Sequence, residues 1–261
     1  MNKIQRALIK AKSDENKGLN RISSDDRNLI TSDIEDMLDK HLVDSTVLSE
    51  LKIIHQNMEN KRIFNEFRTL RTSIMQKIQK NNICILIYSV IPGGGSSYVS
   101  ANLAAAISLD NKKTALLINC DFKNPANYEK LLDDKTGLID YLSDEIDINK
   151  IIHPTGIRRL RVIPSGETQY SFSEYFTSDK IKCLFAEIKA RYSDRSIIID
   201  ASSANEVADI KLLMEVVDYA LIVVPSGRCD NEAIRHASEI VEKEKLIGIV
   251  INNKQQLFSA K

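Results

Sequence analysis

Residues 91–107, IPGGGSSYVSANLAAAI, have the residue types and spacing that phosphate chemistry needs, with one charge missing. An apolar strand, NICILIYSV (82–90), runs into Gly93, Gly94 and Gly95, then Ser96 and Ser97, then a helix of small residues. In the pattern G-x-x-x-x-G-K-[ST], the glycines let backbone N–H groups curl around phosphate oxygens. The lysine neutralises the outer phosphates, and the hydroxyl holds Mg²⁺. Here Gly95-Ser96-Ser97 stands where Gly-Lys-Ser would be, so the cradle is written without its cation. A helix N-terminus of this kind still attracts an anion, yet it lacks a compact full charge for a transferring phosphoryl group. The plainer alternative is a tight strand-to-helix turn that binds nothing, since glycine is the usual residue of such turns.

Two carboxylates stand where a metal would be wanted. Asp121 follows the apolar run TALLINC (114–120), and Asp200 ends RSIIID (195–200). Acidic residues at strand ends beside a phosphate loop hold Mg²⁺ directly or through water, which makes Ser97, Asp121 and Asp200 the candidate metal ligands. Asp121 and Asp200 are also the catalytic candidates, although either aspartate alone is an ordinary turn or cap residue. Arg68 and Arg71, in NEFRTLR (65–71), share a helix face beside Glu66 and on composition alone read as solvated charge. Ser202 and Ser203 lack a His–Asp pair in a defensible order, and His41, His55, His153 and His236 are scattered without metal-ligand spacing.

These residues need a frame, and the chain supplies one by alternation. Strand-like runs at 82–90, 114–120, 159–166, 195–200, 219–227 and 246–253 are separated by helical segments at 97–109, 126–132, 173–192, 206–216 and 231–245. Near-continuous apolar strands imply burial on both faces, and helical crossovers require parallel pairing. The expected fold is a doubly wound α/β sandwich with a mostly parallel sheet and its ligand crevice at the carboxyl ends of the strands. The glycine loop follows the first strand, at that end. Ahead of this domain (81–261), residues 1–12 pattern as a short amphipathic helix and a polar stretch to residue 28 reads as a linker. Apolar residues at three- and four-residue steps over 29–80 then predict a helical arm.

The charge balance is 36 basic against 36 acidic side chains, so no global field favours nucleic acid or an anionic membrane. Cys84, Cys120, Cys183 and Cys229 lie far apart with no C-x-x-C pair, which predicts buried reduced thiols in a reducing compartment. The N-terminus MNKIQRALIKAK has no long apolar core, and no run approaches the roughly 18 apolar residues of a membrane span. A cytoplasmic protein that meets membranes only through a partner is expected.

The ordered series FNEFRTLRTSI, SVIPGGGSSYVSANLAAAIS, ALLINCDFKNP, TGLIDYLSDE, LRVIPSGE, RYSDRSIIIDASS and GIVINN resembles the bacterial tyrosine autokinases (BY-kinases) of capsule and exopolysaccharide loci. The likeness is closest to the stand-alone cytoplasmic type of exopolysaccharide and exosortase-associated clusters. It covers roughly residues 60–253, and the opening MNKIQRALIKA is similar to the leading helix of that branch. The resemblance implies a P-loop NTPase domain of Min/Par-like fold, ATP and Mg²⁺ as cofactors, and phosphorylation of tyrosines in a neighbouring subunit's tail. A membrane-embedded chain-length regulator is the implied activator, with self or paralogous kinase subunits as further partners. By this likeness Gly93 to Ser97 form the Walker A loop, Asp121 is the second Walker A′ aspartate and Asp200 the Walker B aspartate. Asn252 stands where related folds place an asparagine against the nucleobase. Asn65, Arg68 and Arg71 fall on the E-x-x-R-x-x-R self-association helix.

Several positions depart from that pattern. Ser96 replaces the Walker A lysine, Asn119 the first Walker A′ aspartate, Ala201-Ser202-Ser203 the proline-containing turn after Walker B, and Asn65 the ring-helix glutamate. Tyr219 is the last tyrosine, so no tyrosine cluster is expected in the tail. Removing one preorganised charge from such a site typically costs about 10²- to 10³-fold in rate. The expectation is therefore a degenerate kinase-like regulatory or scaffolding subunit with weak or absent nucleotide binding. The alternatives are an active tyrosine autokinase or slow ATPase that recruits another basic residue, with Lys123 one candidate, and a Min/Par-like positioning ATPase.

Overall fold

A computed structural model describes residues 42–78, 82–111, 113–124, 126–143, 146–166, 179–191 and 195–253. The expected leading helix (1–12), the linker to 28 and the first part of the arm lie outside the described residues. So do 173–178 and 192 of the expected helix 173–192.

The frame starts at strand β1 (Ile83–Ser89), which is buried at every position. Side chains alternate across a strand, so Ile83, Ile85 and Ile87 enter one core layer while Cys84, Leu86 and Tyr88 enter the other. A strand covered on both faces has no solvent side to alternate with, which is why the run reads as unbroken apolar sequence. The strands β2 (Thr114–Asn119), β3 (His153–Pro154), β4 (Leu160–Ile163), β5 (Arg195–Ser203), β6 (Tyr219–Pro225) and β7 (Leu246–Asn252) complete one sheet of order β3-β4-β2-β5-β1-β6-β7. All neighbours pair in parallel except β3 with β4. The expected mostly parallel sheet is present. The two-residue β3 was not foreseen, since it is too short to leave a periodic signal.

Helices α1 (Ser45–Glu50), α2 (Lys61–Ile78) and α3 (Ser96–Ser108) belong to the first core layer, through Leu48, Phe67, Ile74 and Leu103. Two short helices, α4 (Leu138–Ser143) and α5 (Ile148–Ile151), come before β3. Helices α6 (Asp179–Arg191), α7 (Val207–Leu213) and α8 (Asn231–Glu239) cover the second layer, through Phe185, Ile210 and Ala237. In α3, Ala104, Ala105 and Ala106 are buried together, and small side chains of this kind let the helix axis approach the sheet closely.

Local outcomes differ from the sequence expectation in several places: α4 and α5 were not expected, and α8 ends at Glu239 where a helix to 245 was expected. The helix expected over 126–132 is a single 3₁₀ turn, Asn127–Leu131. The strand expected over 159–166 ends at Ile163, and its last residues form hydrogen-bonded loop instead: Leu138 N–H and Ile139 N–H donate to the carbonyls of Pro164 and Ser165. Of the four cysteines, all free, Cys84 and Cys120 are buried as expected, Cys229 is half-buried and Cys183 is exposed on α6.

Candidate functional site

β1 delivers the chain into the glycine loop at the carboxyl edge of the sheet. Gly94 N–H turns back to the Ile91 carbonyl at 3.1 Å, and Gly95 caps α3 at φ 97°, a left-handed conformation that favours glycine. A Cβ on Gly94 would sit 2.7 Å from Ser89 Cβ, and one on Gly95 would collide with the Asn252 carboxamide. Asn252 Nδ2 also donates to the Gly94 carbonyl at 3.1 Å. The asparagine expected beside a nucleobase thus rests on the loop itself. No acidic residue and no side-chain cap occupies the first turn of α3, which leaves its N–H groups available to an anion.

Strand register brings the acidic positions together. Asn119 at the end of β2 and Ile87 in β1 both lie opposite Asp200 in β5. Asp200 is fully buried, and its oxygens accept from hydroxyls of the same chain: Tyr128 Oη to Oδ2 at 3.0 Å, Ser100 Oγ to Oδ1 at 3.4 Å, and the Ser97 hydroxyl. Burial pushes the Asp200 carboxyl up to about 7, and the nearby charge of Asp121 adds to the rise, while the three hydroxyl hydrogen bonds oppose it. Burial and the neighbouring carboxylates also hold the Tyr128 phenol well above its ordinary value.

Asn119 Nδ2 donates to the buried Glu129 Oε1 at 2.6 Å, and the same oxygen accepts from Ser165 N–H at 3.2 Å. Asn119 Oδ1 accepts from Asp121 N–H at 2.9 Å, and Asp121 Oδ1 in turn accepts from Lys123 N–H at 3.2 Å. Asp121 therefore takes the local turn geometry that aspartate commonly adopts after a strand. Lys123 Nζ is paired with Glu206 Oε1 at 2.6 Å, a hydrogen bond that raises its ammonium above the ordinary value. A guanidinium beside the loop is that of Arg228, whose Nη1 donates to the Gly93 carbonyl at 2.9 Å.

Helix α2 braces the loop from outside. Phe67 meets Tyr98 edge to face at 5.6 Å between ring centroids, and Arg71 Nη1 donates to the Ala106 carbonyl at 3.0 Å. Arg71 is engaged within the chain, while Arg68 is exposed and stacks on Phe64 at 5.6 Å. Glu66 pairs with Arg62 at 2.9 Å. An open cavity of about 1430 Å³ lies between α2, the glycine loop and β7, lined in part by Phe67, Gly95, Ser97, Tyr128, Ile251 and Asn252.

Gly93 to Ser97, Asp121, Asp200 and Asn252 are gathered at the carboxyl edge of the sheet. The sequence reading missed Tyr128, Glu129 and Arg228, and also Asn102, whose carboxamide ties Ile54 N–H (2.8 Å) and the Lys52 carbonyl (3.0 Å) to α3. A lone polar residue inside the otherwise apolar ANLAAAI was the available signal for Asn102. Tyr128 and Glu129 gave none, because they lie in a segment expected as helix that closes as a 3₁₀ turn.

A parallel doubly wound sheet with a glycine loop between its central strand and a buried helix defines a P-loop α/β protein. The chain is 29% identical over 194 residues to the tyrosine-protein kinase YwqD of Bacillus subtilis strain 168, covering 73% of this chain and 81% of that protein. Identity is also 29%, over 210 residues, to the tyrosine-protein kinase CpsD of Streptococcus agalactiae serotype III strain NEM316, with 78% and 89% covered. Its structure matches that of the chimerical protein CapA2B2 with a TM-score of 0.70 at 26% identity, covering 83% of this chain and 93% of that one. No family model matches. By sequence the chain is similar to bacterial tyrosine-protein kinases, and by fold it is similar to CapA2B2.

Proposed function

We propose that this chain is a regulatory or scaffolding subunit of a capsule or exopolysaccharide synthesis and export system, with a pocket that binds ATP and Mg²⁺ weakly or not at all. The observation that carries the reading is Ser96 at the start of α3, in the place of the lysine that would grip the outer phosphates. The neighbouring groups support it. Lys123 is held by Glu206, and the oxygens of Asp200 are turned to hydroxyls of the chain. As they stand, these residues do not fit ATP–Mg²⁺, and no transfer step is assigned to them.

What remains is a folded domain whose helix α2 buries Phe67, Ile74 and Ile78 and leaves Arg68 exposed. In this reading Arg68 and the helical arm (29–80) meet copies of the chain, a paralogous active kinase and a membrane-embedded chain-length regulator. The protein works in the cytoplasm, at the inner membrane through that partner. No described helix is long and apolar enough to cross a membrane.

The test is thermal melting with and without ATP–Mg²⁺, combined with an assay for phosphotyrosine. A ligand at a hundred times its Kd stabilises the native state by about 2.7 kcal/mol, so specific binding is visible as a higher melting temperature. The expected result is no shift and no phosphotyrosine. A clear shift, with phosphorylation that vanishes in Asp200→Ala, overturns the proposal.

One observation favours the rival reading, an active kinase or slow ATPase: the guanidinium of Arg228 sits at the loop, on the Gly93 carbonyl. If that residue replaces the lysine, Arg228→Ala abolishes whatever nucleotide response the chain has.

A further inference from the structure

Asp200 and Asn119 are engaged by other side chains of the pocket, and one of these stands between the cavity and Asp200. Tyr128 lines the cavity, is 3% exposed and donates its hydroxyl to Asp200 Oδ2 at 3.0 Å, while Asp200 itself is fully buried. The other Asp200 oxygen accepts from Ser100 at 3.4 Å, and the Ser97 hydroxyl also bonds the carboxyl. A carboxylate that orients a metal-bound water must present a lone pair to it from the pocket side. Here a phenol that lines the cavity lies against Oδ2, and Asp200 itself does not reach the cavity.

The phenol is fixed in place through the next residue. Glu129 is gripped by Asn119 Nδ2 at 2.6 Å and by Ser165 N–H at 3.2 Å, which pins the 3₁₀ turn to the ends of β2 and β4. Asn119 lies beside Asp200 in register. An amide at 119 can donate to Glu129, whereas a carboxylate there could not. The residue at 119 and the phenol at 128 therefore act as one unit.

We infer that Tyr128 is a built-in stopper of the phosphate pocket, held by the Asn119–Glu129 contact, and that its hydroxyl must leave Asp200 before any divalent cation can be bound there. This rests on the reading above that the pocket is closed to ATP–Mg²⁺ as it stands. Asn119 is a positioning residue in this arrangement.

The probe is Mn²⁺, alone and with ADP, added to the full chain and followed by the electron paramagnetic resonance signal of free Mn²⁺. Tyr128→Phe keeps the ring and removes the hydroxyl, and its fold is checked by near-ultraviolet circular dichroism. Mn²⁺–ADP should bind Tyr128→Phe at least about tenfold tighter than wild type, the scale of one hydrogen bond to a charged group. Adding Asp200→Asn should cancel the gain. Asn119→Ala, which loosens the turn but keeps the phenol, should give a smaller gain of the same sign and serves if Tyr128→Phe does not fold.

If neither variant binds tighter than a silent wild type, the stopper is refuted while the scaffold reading stands. If wild type already binds Mn²⁺–ADP as tightly as Tyr128→Phe, both fail.

Discussion

Placing an aspartate at position 119 should damage this protein. In wild type, Asn119 is fully buried and donates Nδ2 to Glu129 Oε1 at 2.6 Å, and Glu129 is nearly buried as well. Asn119→Asp replaces that donor with an oxygen. One short hydrogen bond to a carboxylate is lost, and two carboxyl groups then face each other at contact distance in a dry site. Breaking a buried charge-assisted pair by changing one partner costs about 3–5 kcal/mol, a large share of the stability of an ordinary domain.

The pair can escape by sharing one proton, as close carboxylates do, and this sets the pH dependence. Sharing raises a folded-state pKa, so the variant is least impaired at low pH and loses further stability as pH rises toward neutrality. Urea unfolding at pH 5 and pH 7.5 measures this directly. Glu129→Gln in the same background should recover most of the loss, because the new amide can donate to the introduced carboxylate, and a double-mutant cycle isolates that coupling. An Asn119→Asp protein within about 0.5 kcal/mol of wild type at pH 7.5, or one that Glu129→Gln does not rescue, would show the contact to have been misjudged.

Other consequences are simpler to read. Gly95→Ala should cost about 1–3 kcal/mol in unfolding experiments, because φ is 97° and its Cβ meets the Asn252 amide; Gly93→Ala, at φ 66° with open space around it, should cost only about 1–2 kcal/mol. The raised Asp200 pKa makes its neutral form part of the fold: an unfolded aspartic acid loses its proton near 3.8 and the folded one near 7, so stability falls between those values. Measured against Asp200→Asn over pH 4 to 8, wild type should lose up to about 4 kcal/mol. Asn102→Ala removes the tie between α3 and residues 52–54 and should speed hydrogen exchange at the Ile54 amide by about tenfold or more. Arg71→Ala should lower the melting temperature by leaving the Ala106 carbonyl short of a donor, while Arg68→Ala should leave it within about 1 °C and change only the mass measured in solution.

The frame was legible because it is written in long-range repetition. β1 needs apolar residues on both faces, and NICILIYSV supplies them without reference to anything distant in sequence. The same holds for α3, whose small residues announce close packing, and for β5 and β6. Short elements carried no such signal. The two-residue β3 pairs with β4 through tertiary context, and 126–132 has helical composition yet closes as a 3₁₀ turn. There the Asn119–Glu129 and Tyr128–Asp200 contacts hold the chain, and contacts between residues 10 and 72 apart in sequence outweigh propensity.

The candidate site divides along the same line. Gly93 to Ser97, Asp121 and Asp200 were found because a loop and two strand ends fix their positions before any partner is known. What those residues do depends on which groups face them. Lys123 offered itself by proximity in sequence, but Glu206, 83 residues on, takes its charge. Arg228 offered nothing in sequence, but the turn after β6 sets it on the Gly93 carbonyl. Asp200 stands at a strand end beside the glycine loop, yet Tyr128 Oη donates to its Oδ2 and covers it from the cavity, so residue identity and accessibility part company there. A motif names the groups that could react. Whether they are free to do so is decided by the fold around them, and in this chain Asp200, Asn119 and Lys123 are each turned toward another side chain while the first turn of α3 stays uncapped.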